Sequence, residues 1–257
     1  MKIVVLVKEV PDTYAERKLD LETGLADRAA SEAVLDEISE RALEVALSFA
    51  DSNDAEVVVM SMAPESAAAT IRKGLAMGAA SAVQVADPAL AGADLGLTAR
   101  TLAAAIRRTG FDLVITGNLS TDGSGGVLPA MLAELLGVPN ATALSSVEIT
   151  ADSVSGTRNT DDGTMRVSAT LPAVVSITEA LPNARFPNFK GIMAAKKKPF
   201  ETLSAEDLGI EPHDLSVAMS IMTAIAEKPA RTAGVKITDE GDGGTKIAEY
   251  LIENRLV

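Results

Sequence analysis

Short apolar runs alternate with segments of helical spacing along the first 140 residues of the chain. The runs are apolar at nearly every position and predict strands at 2–7, 55–62, 81–87 and 111–117. Apolar residues three and four apart predict helices at 36–50, 65–79, 95–110 and 127–137. Strands that are apolar throughout are buried on both faces, so the pattern predicts a doubly wound α/β fold with a mostly parallel sheet and helices on both faces.

The pattern changes after residue 140 to β-like runs that are separated by Asp/Gly turns. These runs are ALSSVEIT (143–150), GTMRVSAT (163–170) and LPAVVSIT (171–178). Such short runs with turn residues between them are typical of hairpins. We therefore expect an antiparallel extension, and a mixed sheet.

The last part of the chain contains a Gly/Asp-rich linker and one amphipathic helix at about 243–254. We expect a nucleotide-binding domain at 1–220 and a C-terminal arm at 221–257. A terminal helix behind such a linker either docks on another surface or packs on its own domain, and composition leaves both open.

Composition excludes several classes of function. A net charge of -13 over 257 residues argues against nucleic acid as a partner, because the phosphate backbone would be repelled. The chain has no Cys, which excludes disulfides, thiolate zinc sites and Cys-ligated iron–sulfur clusters, so any redox function needs a borrowed cofactor. No apolar run is long enough to span a bilayer, and we expect a cytoplasmic protein without membrane insertion.

The segment GNLSTDGSGG, at 117–126, gives the strongest indication of a site. It lies between a predicted strand and helix, where a glycine-rich turn presents free backbone N–H groups to an anion. A tight turn without a ligand explains the glycines equally well. The segment is neither a Walker loop nor a GxGxxG fingerprint.

Catalytic and metal-binding residues are not evident. His213 is the only histidine and is interpreted as a surface residue, and no GxSxG elbow supplies a nucleophile. Asp161 and Asp162 lie in a DDG turn, and Asp12 lies in a Pro-Asp-Thr turn. The sequence therefore predicts a nucleotide site without catalytic residues of its own, and no metal site.

A second unusual segment, NARFPNFKGIMAAKKKPFE at 183–201, gathers aromatic and basic residues in this acidic chain. It holds three of the five phenylalanines, Phe186, Phe189 and Phe200. It also holds Lys196, Lys197 and Lys198 in succession.

Together these motifs resemble the beta subunit of electron transfer flavoprotein, in the form found in actinobacteria. The resemblance rests on VLVKEVPDTYAERKLD, IRKGLAMGA, GNLSTDGSGG, LPAVVSIT followed by ARFPNFKGIMAAKKKPFE, and RTAGVKI. It implies a heterodimer in which the alpha subunit carries the redox-active FAD and this subunit binds a structural AMP. It also implies electron transfer from acyl-CoA and related dehydrogenases to a membrane quinone oxidoreductase.

The resemblance implies an AMP site by position. Its residues are Leu6, Ala33, Val34, Leu35, Asp36, Met62, Gly117, Asp122, Gly123, Ser124, Gly125, Gly126, Val127 and Leu128. Better-known members of the family have more polar side chains where Gly126, Val127 and Leu128 stand here. Phosphate binding would then rest on the backbone amides after Asp122 and on Ser124. The aromatic residue that some members place near the flavin matches Thr13, with Tyr14 one position on, and that contact is not assigned.

The resemblance also implies that a recognition loop, residues 183–199, anchors a partner dehydrogenase through Phe189. The residues assigned to partner binding are Arg185, Phe186, Phe189, Ile192 and Met193. The lysines that follow either steer acidic partners or form the solvated end of a helix, where cations favour the helix dipole.

Other classes of function compete with this interpretation. A hydrolase or ligase of this fold would carry its pyrophosphate loop after the first strand, where VKEVPDT stands. A stand-alone adenine-nucleotide-binding module would end soon after the fifth strand. An electron-bifurcating relative would hold a second FAD in the beta site, but the polar residues of those members are Gly125, Gly126 and Val127 here.

Overall fold

The structure is a computed structural model that describes residues 1–14, 17–213, 220, 222–231 and 234–257. The chain divides into two compact units, Met1–Thr223 and Ala224–Val257.

The first unit contains eleven strands and five α-helices in its described residues. The strands are β1 (Lys2–Leu6), β2 (Glu9–Pro11), β3 (Ala33–Leu35), β4 (Glu56–Met62), β5 (Ser81–Val85), β6 (Leu113–Gly117), β7 (Asn140–Ile149), β8 (Ser153–Thr160), β9 (Gly163–Thr170), β10 (Ala173–Ile177) and β11 (Phe200–Leu203). The helices are α1 (Glu37–Ala50), α2 (Ala68–Met77), α3 (Leu95–Thr109), α4 (Leu128–Leu136) and α5 (Phe189–Ala195).

Nine of these strands form one sheet in the order β11-β5-β4-β1-β6-β10-β7-β8-β9. Every pairing from β11 to β7 is parallel, and β8 and β9 continue the sheet as antiparallel strands. Alternate residues of β1 enter two separate cores, with Ile3 and Val5 in one and Val4 and Leu6 in the other. The predicted doubly wound α/β fold is therefore confirmed.

The expected place of LPAVVSIT in the antiparallel extension is wrong. Its central residues form β10, which is parallel to both β6 and β7 and lies between them. Every residue of β10 is buried, as its continuous apolar sequence requires of a parallel strand covered on both faces. The antiparallel extension consists instead of β8 and β9, joined to β7.

The connection between β1 and α1 contains a small sheet that the sequence pattern did not reveal. Strands β2 and β3 pair antiparallel, with Val10 opposite Val34. Each is three residues long, too short for a visible apolar period. This pairing brings Asp36 back beside the end of β1, where its N–H donates to the Lys8 carbonyl at 2.9 Å.

The parallel strands give the sheet two distinct edges. Strands β1, β4 and β6 all end at one edge, called here the carboxyl edge, and begin at the opposite, amino edge. Because α1 precedes β4 and α2 precedes β5, both helices run back across the sheet and end near the amino edge. Sites at the two ends of these helices therefore lie at opposite edges.

In its described residues, the second unit contains one helix, α6 (Gly243–Glu253), close to the predicted range. The Asp239 carboxylate accepts hydrogen bonds from the N–H groups of Gly241 and Gly243, each at 2.8 Å, and so fixes the start of the helix. Ile247, Tyr250 and Ile252 are exposed. Within the described part of the chain, every helix is too short or too polar to cross a bilayer.

Candidate nucleotide and docking sites

The predicted AMP-site residues meet at the carboxyl edge. Leu6, Met62 and Gly117 are the last residues of three adjacent strands, β1, β4 and β6. The chain passes from β1 to β4 and β5 on one side and places β6 on the other, which makes the gap between β1 and β6 a topological switch point. Ligands of open α/β sheets bind at such points.

The loop after β6 forms a concave turn ahead of α4. Ser124 has φ +50° and Gly126 has φ +67°, so left-handed residues alternate with others along the loop. Successive N–H groups of such a turn can converge on an anion. Within the described chain, the N–H groups of Gly125, Gly126, Val127 and Leu128 donate to no protein acceptor. These four groups are the amides that an anion could use.

Two of the predicted phosphate donors after Asp122 already have partners within the protein. The Gly123 N–H donates to Asp122 Oδ1 at 2.6 Å, and the Ser124 N–H donates to the Ser120 carbonyl at 2.9 Å. The Ser124 hydroxyl also donates to that carbonyl, at 3.3 Å. Both residues shape the turn through these bonds, which leaves the free donors further along the loop.

Three cations that sequence reasoning missed reach the loop from the other side of the switch point, and two of them bind Asp122. Lys8 Nζ lies 2.7 Å from Asp122 Oδ1, and Arg28 Nη2 lies 3.2 Å from Asp122 Oδ2. The Arg17 guanidinium donates to the Thr121 carbonyl. Lys8 follows β1 directly and could have been found by its position, whereas the position of Arg28 depends on the path of the 12–32 connection.

These contacts fix the charge state of Asp122. Burial acts to raise its pKa, but hydrogen bonds from Lys8 and Ser120 and the charges of Lys8 and Arg28 outweigh burial and lower the pKa to about 2. The Asp122 side chain is 9% exposed, while those of Lys8 and Arg28 are 43% and 44% exposed. Asp122 is therefore ionised at neutral pH and holds two partly solvated cations at the mouth of the loop.

Asp36 is the second carboxylate of the site. It immediately precedes α1 and is 1% exposed, and its Oδ2 accepts the Thr121 N–H at 2.9 Å. Burial raises the pKa of Asp36, hydrogen bonds from Thr121 and from the Ile38 N–H partly offset this, and the Asp122 charge adds to the rise. Asp36 thus joins the start of α1 to the loop after β6.

A cavity of about 410 Å³ adjoins the charged cluster. Its lining includes Glu9, Arg28, Ala33, Ser66 and Thr70, but no residue of the loop at 117–128. A larger cavity of about 670 Å³ lies at the amino edge and is lined by Asp54, Asp112 and Asp152. The smaller cavity lies at the same edge as the predicted site, and its size is in the usual range for small-molecule sites.

The loop at 117–128, with Lys8 and Arg28 beside it, is called here the cradle, and the recognition loop lies away from it at the amino edge. Phe186 is 94% exposed and Phe189 is 80% exposed, and Ile192 and Met193 are also exposed. Phe189, Ile192 and Met193 share one face of α5, because residues three and four apart are neighbours on a helix. Four of the five predicted partner-binding residues thus form an apolar surface open to solvent.

The fifth predicted partner-binding residue, Arg185, and the other residues singled out in the sequence make different contacts. Arg185 is bound to α1 through Glu44 and Asp51 rather than free at the surface. Phe200 is the first residue of β11 and packs against the core, with the Arg72 guanidinium 4.6 Å from its ring centre.

The residues considered for catalysis or metal binding lie apart from both regions. His213 is exposed, and Asp161 and Asp162 form the turn between β8 and β9. The described residues contain no cluster of metal-binding side chains.

The structure thus defines a doubly wound α/β protein in which unpaired backbone amides and cations lie together at a switch point. Residues 23–208 match the electron transfer flavoprotein domain family. The chain is 46% identical to the electron transfer flavoprotein subunit beta of Mycobacterium tuberculosis, over 99% of both chains. It is also 33% identical to the caffeyl-CoA reductase-Etf complex subunit CarD of Acetobacterium woodii, over 93% of this chain and 92% of that one. The chain therefore belongs to the electron transfer flavoprotein family, as a beta subunit.

The lowered pKa of Asp122 predicts an acid-dependent loss of stability. Because the folded-state pKa is about 2 against an ordinary 3.8, the stabilisation is present above about pH 4 and disappears as the pH falls through 2. Asp122→Asn should lower the free energy of unfolding by about 1–2 kcal/mol at pH 7. Urea denaturation without added nucleotide, at several pH values, should show this difference shrinking toward pH 2. Glu148→Gln, at an exposed carboxylate on β7, is the control; a pH-independent difference for Asp122→Asn would contradict the assignment.

Proposed function

We propose that this beta subunit binds one AMP at the carboxyl-edge cradle and supports an alpha subunit that carries the FAD. It docks acyl-CoA and related dehydrogenases through the recognition loop, and the complex passes their electrons to a membrane quinone oxidoreductase. The subunit acts as a carrier without catalytic residues of its own. The observation that carries the proposal is the convergence of free amides, Lys8 and Arg28 at the switch point, within a chain of the electron transfer flavoprotein family.

A single terminal phosphate suits the charges of the cradle. Lys8 and Arg28 together carry two positive charges, and Asp122 neutralises one of them. The four free amides from Gly125 to Leu128 supply the remaining donors, at the positive end of the α4 dipole. Backbone amides and the two cations thus provide the donors that the glycines and apolar residues at 125–128 lack in their side chains.

FAD in the beta site is the second candidate. The 33% identity with a subunit named for a caffeyl-CoA reductase-Etf complex supports this second candidate. A second flavin would place a diphosphate in the cradle, of about the same total charge as the AMP phosphate, but the polar side chains that would bind it are replaced here by Gly125, Gly126 and Val127. AMP is therefore preferred.

Nucleotide analysis of the two-subunit complex tests the cradle. Acid release should yield one FAD and one AMP per complex, whereas two FAD and no AMP would establish the second candidate. Lys8→Met and Arg28→Met should each reduce AMP affinity about tenfold, since each removes a charged donor. Lys2→Met, which loses an ion pair with Glu56 at the amino edge, should retain AMP. If all three variants retain AMP equally, Lys8 and Arg28 do not contribute to AMP binding.

The exposed apolar face of α5 supports the docking role. One aromatic side chain that enters a pocket supplies on the order of 2–4 kcal/mol at a binding hot spot. Such an anchor permits a small interface, so a carrier can bind and leave quickly. Phe189 has the exposure that this role needs, because burial on docking would remove most of its surface from water.

Phe189→Ala tests this role by steady-state electron transfer from an acyl-CoA dehydrogenase. The apparent KM for the complex should rise at least about tenfold with kcat nearly unchanged, through loss of the hot spot. FAD content, AMP content and Tm should stay at wild-type values. Met165→Ala, at an exposed side chain on β9, is the matched control. Unfolding of Phe189→Ala, or unchanged kinetics with every dehydrogenase tried, would exclude the anchor.

The C-terminal unit is proposed to reach over the alpha subunit. Its helix α6 exposes Ile247, Tyr250 and Ile252 to solvent, and these apolar side chains are available for a partner. Truncation before Arg231 should abolish co-purification of the alpha subunit and leave a folded monomer, as followed by affinity capture and circular dichroism. Normal assembly of the truncated chain, or its unfolding, would contradict the proposal.

A further inference from the structure

Helix α5 is seated on α2 by an unusually close backbone contact. A Cβ atom added to Gly191 would lie 2.3 Å from the Ala76 carbonyl oxygen, so only glycine permits this approach. The exposed side chains Phe189, Ile192 and Met193 belong to the same short helix. The geometry of the docking face therefore depends on how α5 is fixed to α2.

A lysine of the basic run makes the first connection. Lys198 Nζ donates to the carbonyl oxygens of Leu75 and Ala79, at 2.9 and 2.6 Å. These oxygens lie at the C-terminal end of α2, where carbonyl groups lack helical partners and the helix dipole favours a cation. Lys198 is half-buried, whereas Lys196 and Lys197 are exposed. The predicted solvated end of a helix therefore applies to Lys196 and Lys197 but not to Lys198.

An arginine makes the reciprocal connection. Arg72, on α2, donates from Nη1 to the Ala195 carbonyl at 3.0 Å, and Ala195 is the last residue of α5. The same guanidinium stacks on Phe200, where the chain enters β11. Each helix therefore has its C-terminal carbonyl groups bound by a cation from the other helix or its continuation.

The beginning of the recognition loop is fixed to a different helix. Arg185 forms ion pairs with Glu44 and Asp51 of α1 and its C-terminus, each at 2.8 Å. Its own backbone N–H donates to Glu44 Oε2 at 2.9 Å. The hydrogen bonds from Arg185 lower the pKa values of both carboxylates, and burial of Glu44 opposes this. The loop is thus held at both ends, with its apolar residues between.

We propose that Lys198, Arg72 and Arg185 are positioning residues that hold the recognition loop as a preformed docking surface. This inference rests on the proposed docking function. A preformed surface avoids the conformational entropy cost of ordering the loop at each encounter, so its loss weakens binding without altering electron transfer within the docked complex. The basic run then has two roles, because Lys198 acts inside the protein while Lys196 and Lys197 face solvent.

Lys198→Met and Lys197→Met form a matched pair for the test. Both remove one positive charge at neighbouring positions, but only Lys198→Met removes the two donors to α2. The complex with the alpha subunit is assayed with an acyl-CoA dehydrogenase that reduces the wild type, and amide hydrogen exchange is followed across 186–197. Lys198→Met should speed exchange there at least about tenfold and raise KM about tenfold at unchanged kcat. Lys197→Met should do neither, and Lys198→Arg should restore both values toward the wild type.

The outcomes separate this inference from the docking proposal. Equal rates of amide exchange in Lys198→Met and Lys197→Met would show that Lys198 does not hold the loop, whatever the kinetics. If Lys198→Met speeds exchange but leaves KM unchanged, while Phe189→Ala raises KM, then docking stands and only the positioning role is wrong. If Phe189→Ala also leaves KM unchanged, docking itself fails and this inference falls with it. Should Lys198→Met fail to fold, Arg72→Met replaces it under the same criteria, because it breaks the reciprocal bond to Ala195.

Discussion

Burial of β1 on both faces is the constraint on which the rest of the structure depends. Ile3, Val4 and Val5 are wholly buried, and they alternate between the two cores of the first unit. A strand covered on both sides needs helices above and below the sheet, so the chain must cross over in both directions from β1. The switch point between β1 and β6 results from these crossings. Backbone N–H and C=O groups that the sheet does not pair therefore lie close together at this switch point.

Local charge explains how a chain of net charge -13 can offer an anion site. Asp122 draws Lys8 and Arg28 to the loop and holds both with a side chain that is almost buried. Asp36 is a second carboxylate beside the loop, and burial raises its pKa while hydrogen bonds from Thr121 and Ile38 partly offset the rise. The local field at the loop therefore depends on the balance between these two carboxylates and the cations, and it differs from the mean field of the chain.

The sequence predicted those features that periodicity and glycine spacing encode. The core strands, their helices and the loop at 117–126 were found because each has its own local pattern. The parallel place of β10 was not, since a short apolar run does not reveal its neighbours. The sequence analysis did not identify Arg28 at the candidate site or Lys198 at the end of α2, for a related reason. A surface cation has the same sequence pattern whether it faces solvent or binds a carbonyl or carboxylate that is distant in sequence. The position of the candidate site was thus more predictable than the residues that organise it.

The two sites occupy opposite edges of the sheet, and this separation has a mechanical consequence. Helix α1 begins just after Asp36, beside the cradle, and ends just before Asp51, which binds Arg185 of the recognition loop. Helix α2 is tied near its start to β2 by Thr70 and Glu9, and at its end it carries α5. A dehydrogenase docked at the amino edge would leave the cradle uncovered, so a bound nucleotide would not have to leave for docking to occur. Nucleotide binding would instead stabilise the folded unit whose helices carry the docking surface, which suits a structural rather than a reacting nucleotide.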